Sequence, residues 1–330
     1  MERPGSARLL NIDERHPYRA ALNRGKKSVV LNLKDEADRE VARRLVETAD
    51  ILVEGFRPGV MARLGLGWAD VQAINPRLIY CSISGFGQQG PDRNRPGHDN
   101  IYTAEAGLLH ENRGADGRPH LFPIQLADVG GGAFPALVGV LAALWQRERS
   151  GRGVHIDVSM LEGTLSWEYL LLPALGGGTE VTLWLESLRG DLPCYGIYAT
   201  ADGRYIALGA LETHFWAAFC RAVGREDWLG RGYDVTLRED VAHLFRQHTL
   251  AEWVGEGGQM GILDPQEVPI APVRTLEEVA HDASLLEAGA LVRDEHGHLH
   301  PALPLRFNGV RPPAPTHVPV SGENNPEMEL

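Results

Sequence analysis

The sequence predicts an α/β protein: a Rossmann-like parallel sheet in a large domain, followed by a smaller α+β domain. Three observations carry this. Residues 28–54 read as strand, helix and strand, and a βαβ unit implies parallel strands with ligands at their carboxyl ends. The strand-like runs lead into glycine-rich turns, and beyond residue 190 the texture changes to two short β runs around a tight turn.

In order, SVVLNLK at 28–34 is a β-branched run, and Asp35 is placed to cap a helix carrying Val41, Leu45 and Val46 on one face. ILVEGF follows at 51–56, then LIYCSIS at 78–84 and VHIDVSM at 154–160, which fit the same sheet. The turns are EGFRPG at 54–59, GFGQQG at 85–90 and ADVGGG at 127–132. The last opens a long helix with Phe134, Leu137, Val138, Leu141, Leu144 and Trp145 at helical spacing, cations in its final turn and Gly151 as its stop. CYGIYATADGRYIALGA at 194–210 pairs two β runs around ADG, ahead of a helix over 213–223. Residues 301–330 hold seven of the 21 prolines and no periodicity, the pattern of an extended tail that packs back on the larger unit. The expected division is therefore a large α/β domain over 1–165, a linker over 166–194, a small α+β domain over 195–300 and a tail over 301–330.

A length of 330 residues suits two domains, and 43% hydrophobic with 23% charged residues disfavours disorder and coiled coils. The net charge of −12 argues against broad phosphate neutralisation, so no nucleic-acid partner is expected. That charge is uneven: residues 1–63 carry 13 Lys+Arg against 10 Asp+Glu, whereas the other 267 carry 19 against 34, which suggests a local anion site near the N-terminal end. Cys81, Cys194 and Cys220 are odd in number and lack CxxC or Cys/His ligand spacing, so neither disulfides nor a zinc site is expected. No secretory pattern opens the chain, and apolar runs such as Tyr169–Leu175 fall short of the ~18 residues of a span, so a cytoplasmic protein without a membrane partner is expected.

RPGHDNIY at 95–102 with QLADVGGG at 125–132 is the constellation most suited to chemistry. His98 lies in a loop marked by Pro96 and Gly97, and a loop histidine can titrate near neutral pH. Asp128 precedes a helix, where an N-cap carboxylate is commonplace. The three glycines behind it cost helix propensity and point to a close approach of ligand or backbone.

NRGKKSVVLNLK, ILVEGFRPGVMARLGLG, LIYCSISGFGQQGP, RPGHDNIY, ADVGGG, SGRGVHIDVSMLEG and YATADGRYIALGALE, in order over about residues 2–320, resemble the family III CoA-transferases (the CaiB/BaiF group). The resemblance is to the α-methylacyl-CoA racemase branch, through GHD followed by an aspartate in a DxGGG turn. It implies a racemase or epimerase of 2-methylacyl-CoA esters, in fatty acid metabolism, in which His98 and Asp128 stand on opposite sides of the α-carbon. One removes the proton and the other returns it through an enolate. It further implies that Glu212 hydrogen-bonds the histidine, that Tyr102 faces the substrate, and that Gly97 and the Asp99 amide border it. CoA would meet Leu31, Asn32, Leu33 and Lys34 as an adenine wall, Gly55, Phe56 and Arg57 as a contact loop, and Arg63 at its phosphates. The resemblance also implies that the substrate is the acyl-CoA itself, with no cofactor and no metal expected, and that the assembly is an interlocked homodimer in which Glu212 reaches His98 across chains.

The alternatives are a CoA-transferase with Asp128 as nucleophile and a CoA-binding subunit without activity. Family members carry about 35–40 residues ahead of the ERPG segment, forming a first βα unit that this sequence lacks; either the sequence starts late or the sheet is incomplete, and an incomplete sheet would expose a strand edge and apolar helix faces. The family's usual GHDxNY reads GHDNIY here, moving the Asn by one position. For acid–base work Asp128 must be shifted upward by burial, against a helix N-terminus that favours its anion. Free amides of that terminus would ease the conflict by donating to the enolate oxygen, for about 3–4 kcal/mol.

Overall fold

The computed structural model of the chain describes residues 16–114, 116–176, 187–255 and 260–328. The ERPG segment and residues 177–186 of the expected linker lie outside them. The chain divides into two compact units, one of residues 1–110, 120–168 and 280–330, the other of 111–119 and 169–279. Residues 280–300, expected in the smaller domain, thus belong to the first unit, and the expected linker from 169 onward belongs to the second.

The first unit opens with α1 (Pro17–Asn23) and α2 (Glu36–Thr48), the latter capped by Asp35, whose carboxylate accepts from the Ala37 amide at 2.9 Å. Then come β1 (Ile51–Glu54), α3 (Val60–Arg63), α4 (Trp68–Ile74) and β2 (Ile79–Ser84). They are followed by α5 (Asp99–Glu105), a π-helical turn over Leu126–Ala133 continuous with α6 (Phe134–Ser150), β3 (His155–Ser159) and α7 (Met160–Leu165). The sheet is parallel in the order β1-β2-β3, with Leu52 opposite Tyr80 and Ser82 opposite Asp157. Its central strand β2 is buried almost throughout, as a strand covered on both faces must be.

Residues 28–34 do not form the predicted strand. Their backbone is taken by the tail instead: Asn324 Oδ1 accepts from the Ser28 amide and Asn325 Oδ1 from the Val30 amide, each at 2.8 Å. An extended run becomes a strand only where a neighbouring backbone supplies a ladder. Here side-chain amides from the tail occupy the donors that a ladder would use.

α6 lays its small residues, not its large apolar ones, on the sheet. Its buried face is Ala136, Val140, Ala143 and Arg147, while Phe134, Leu137, Val138, Leu141 and Trp145 are exposed. Small residues let the helix lie flat on the strands, and Arg147 pins its end by donating to the Asp50 carboxylate at 2.9 Å. Together with the π-helical turn, α6 makes 25 residues long and apolar enough to cross a membrane by length and composition, a property that uninterrupted apolar runs did not disclose. Its small-residue face against the sheet is the placement of a helix covering a sheet.

The second unit holds β4 (Tyr195–Ala199), β5 (Tyr205–Gly209), α8 (Thr213–Ala222), α9 (Arg238–Phe245), α10 (Leu250–Val254) and β6 (Ile270–Pro272). Its sheet is antiparallel in the order β4-β5-β6, over a core of Trp216, Phe219, Trp228, Phe245 and Trp253. The chain then returns to the first unit with the hairpin β7 (Leu291–Arg293) and β8 (Leu299–Pro301), and with the tail that meets residues 25–30. Cys81, Cys194 and Cys220 are buried free thiols, each pushed up to about 11 chiefly by burial.

Candidate active site

The ends of β1 and β2, the start of α5, the π-helical turn and the start of α7 border an open cavity of about 440 Å³. It is lined by Val53, Glu54, Gly55, Ile83, Gly97, His98, Tyr102, Asp128 and Met160. This is the carboxyl end of a parallel sheet, where α/β folds bind their ligands. A second cavity, about 400 Å³, adjoins it through His98 and is bounded by Asp99, Asn100, Thr103 and the segment 121–125.

His98 is the N-cap residue of α5, but its imidazole makes no capping bond, so the ring is left to the cavities. Asp128 is not an N-cap. It lies inside the π-helical turn, half-buried, and its Oδ2 accepts from Gln125 Nε2 at 2.9 Å. Burial, and then the charge of Asp99, push its carboxyl above the ordinary aspartate range, against smaller opposing effects of Gln125 and His98. The upward shift that acid–base work requires is therefore present, and a π-helical turn at this point is typical of functional positions.

Asp99 explains how the turn is held. Its Oδ1 accepts from the amides of Ala127 at 2.6 Å and Asp128 at 3.0 Å, tying the start of α5 to the turn. This overturns the expectation that those amides are open to an enolate oxygen: the donors are already satisfied by a carboxylate. The glycines behind Asp128 are likewise accounted for by backbone packing, because a Cβ on Gly131 would stand 2.6 Å from the Met160 carbonyl oxygen of α7.

Tyr102 is buried, with its ring edge-on to Phe86 at 5.4 Å between centroids. It occupies the space left by two missing side chains, since a Cβ on Gly97 would fall 2.6 Å from its ring and one on Gly85 closer still. Burial, and then the charge of Asp128, push its phenol upward, so it remains a neutral hydroxyl at the wall. Glu54, also buried, turns its carboxylate to the Phe56 amide at 2.7 Å and so shapes the loop containing Gly55.

Of the residues singled out from the sequence, His98, Asp128, Gly55, Gly97 and Tyr102 meet in the first cavity, and Asp99 borders the second. Leu31, Asn32, Leu33, Lys34, Phe56, Arg57 and Arg63 line neither. Leu33 and Phe56 pack on the core between α2 and α4, whereas Lys34, Arg57 and Arg63 are exposed. Glu212 belongs to the second unit as the N-cap residue of α8, where its carbonyl, not its side chain, accepts the first helical amides. Sequence reasoning passed over Glu54 and Gln125, and assigned Asp99 only its amide. The signal for Gln125 was its place three residues ahead of Asp128.

A family model described as CoA-transferase family III matches residues 3–325. The chain belongs to that family. It is 35% identical over 318 residues to the alpha-methylacyl-CoA racemase of Homo sapiens, covering 93% of this chain and 81% of that protein. It is 31% identical to the acetyl-CoA:oxalate CoA-transferase of Acetobacter aceti, covering 92% and 78%. Among solved structures, a hypothetical protein of Mycobacterium tuberculosis superposes with a TM-score of 0.81 at 27% identity, over 98% of this chain and 87% of that one. Members of this family are thus both racemases and CoA-transferases, and the chain is an enzyme of that group.

Proposed function

We propose that this family III enzyme is an acyl-CoA racemase or epimerase, which exchanges the α-proton of a 2-methylacyl-CoA through its enolate. The observation that carries the reading is an imidazole and an upward-shifted carboxyl, His98 and Asp128, lining one cavity. A thioester lowers the cost of α-deprotonation, and a positioned acid–base pair contributes about 10²–10⁴ in rate per group. His98 takes the proton from one face while Asp128, which burial and the Asp99 charge make hold its proton more tightly than an ordinary aspartate, delivers one to the other. With the Ala127 and Asp128 amides occupied, the donor for the enolate oxygen is the Asp99 amide at the first position of α5, where helical amides lack intrahelical partners.

A CoA-transferase is the second reading, favoured by the 31% identity to the acetyl-CoA:oxalate enzyme and by the carboxylate of Asp128 in the cavity wall. In that case Asp128 attacks the thioester carbonyl and CoA thiolate leaves, giving a mixed anhydride; the acceptor carboxylate displaces the donor acid at the Asp128 carbonyl, and the thiolate then attacks the acceptor's carbonyl, forming the new thioester and freeing the Asp128 carboxylate. Incubation with 2-methylacyl-CoA in D2O, without added carboxylate, separates the two. The racemase incorporates α-deuterium and His98→Ala abolishes it; a His98→Ala variant that keeps full CoA transfer to an acceptor acid would mark the protein as a transferase.

The CoA contacts at Leu31, Asn32, Leu33, Lys34, Gly55, Phe56, Arg57 and Arg63 remain part of this proposal. So does the homodimer. Its support is the row of exposed Phe134, Leu137, Val138, Leu141 and Trp145 on α6, which a second copy would cover. Light scattering is expected to give twice the chain mass of 36.2 kDa, and a monomer with full activity overturns that assembly.

A further inference from the structure

The C-terminal hairpin of the first unit carries a side-chain cluster that the acyl-CoA cavity does not use. β7 and β8 are joined through Asp294–His298, with the Asp294 amide donating to the His298 carbonyl at 3.1 Å. The Asp294 side chain is fully buried, and its Oδ1 accepts from the His296 and His298 amides, each at 2.9 Å. Its Oδ2 faces two rings, at 3.0 Å from His298 Nδ1 and 2.8 Å from His300 Nε2. His298 and His300 are two apart, so a strand presents them on the same side.

The turn does not require these imidazoles. One aspartate oxygen on two amides already closes it, as Asx turns do, which leaves Oδ2 and both rings surplus to hairpin geometry. Among the described residues the ion-pair partners of Asp294 are His298 and His300, so two ring nitrogens and one carboxylate oxygen converge on one buried point.

We propose that Asp294 Oδ2, His298 Nδ1 and His300 Nε2 form a binding site for a divalent transition-metal ion of the Zn²⁺ type. The three donor atoms lie within 4.8 Å of one another. Around an ion held at about 2.0–2.1 Å, tetrahedral donors stand about 3.3 Å apart, so the Asp–His separations open by a few tenths of an ångström and the two ring nitrogens, within 4.8 Å of each other, settle to the same spacing. Two imidazole nitrogens and one carboxylate oxygen suit Zn²⁺, Co²⁺ or Ni²⁺ rather than Mg²⁺ or Ca²⁺. The hydrogen now on each contacting nitrogen moves to the other ring nitrogen, or leaves to solvent if the ring is protonated. The amides on Oδ1 fix the carboxylate as an outer layer of support. His298 is part-exposed, so water can complete the coordination, and His296, its ring centroid 6.0 Å from that of His298, is a nearby protein donor. The ion would pin the hairpin, with no part in the acyl-CoA chemistry.

Metal-free full-length protein titrated with Zn²⁺ against a chromogenic chelator is expected to take up one ion per chain at this site. Co²⁺ is expected to give the intense visible absorption of a tetrahedral ion, reversed by EDTA. His298→Gln and His300→Gln keep an amide donor for Asp294 and are expected to weaken binding by more than about 100-fold, beyond what loss of an outer partner costs. Neither is expected to alter α-proton exchange. Unchanged affinity in the double variant, an octahedral Co²⁺ spectrum in the natural protein, or uptake no stronger than that of scattered surface histidines each overturns the site.

Discussion

Asp128→Asn is expected to lower α-proton exchange by at least about 10²–10⁴-fold while raising the melting temperature at pH 7. The two effects have one cause. Burial and the neighbouring Asp99 charge raise the Asp128 carboxyl above its unfolded value, so the folded protein favours the protonated form. Its contribution to stability is complete below the unfolded pKa, near 3.9, and is lost as the pH rises through the raised native value. At pH 7 the anion is a cost, and Asn, neutral and of the same shape, removes it. The melting-temperature gain should therefore shrink towards zero as the pH is taken down to about 3. A variant less stable than the natural protein at pH 7 would mean that Asp128 is held as a comfortable anion, a poor acid for reprotonating an enolate.

The parallel sheet was legible because β1 and β2 are short runs rich in β-branched and aromatic residues that lead into the glycine turns at 54–59 and 85–90, and that pattern is local. Residues 28–34 show where local pattern fails. Their β-branched composition is that of a strand, yet strand formation depends on a partner backbone, and Asn324 and Asn325, almost 300 residues away, take the amides instead. α6 was legible as a helix but not in its orientation: both of its faces are apolar, and periodicity cannot say which one lies on the sheet. The smaller residues do, because they allow closer packing.

His98 and Asp128 were readable as residue types in glycine-marked loops, and their meeting in one cavity followed from the βαβ topology together with the family resemblance. The role of Asp99 was not readable. A carboxylate at the start of α5 resembles ordinary complementarity to a helix dipole, and nothing in its spacing shows that Ala127 and Asp128, folded from another segment, bring their amides to it. The Asp294 cluster escaped for a related reason. Cysteine spacing was the basis for setting zinc aside, whereas these donors alternate along a hairpin.

Asp99 is a positioning residue with two separable actions, and a pair of substitutions should resolve them. Asp99→Ala removes the acceptor for the amides of Ala127, which is buried, and of Asp128. Stranding buried amides costs about 1–3 kcal/mol each, so the variant is expected to lose about 2–6 kcal/mol of stability in urea titration and most of its exchange activity. Asp99→Asn keeps an oxygen for the amides and removes only the charge. Its stability should stay much nearer the natural protein's. Because the Asp99 charge helps to raise the Asp128 carboxyl, its loss lets Asp128 ionise at lower pH. The limb of the exchange pH profile belonging to Asp128 should move towards acid in Asp99→Asn, with kcat reduced at neutral pH. A brace that acted only through hydrogen bonds would leave that limb in place, so an unmoved profile with restored stability would confine Asp99 to holding the turn.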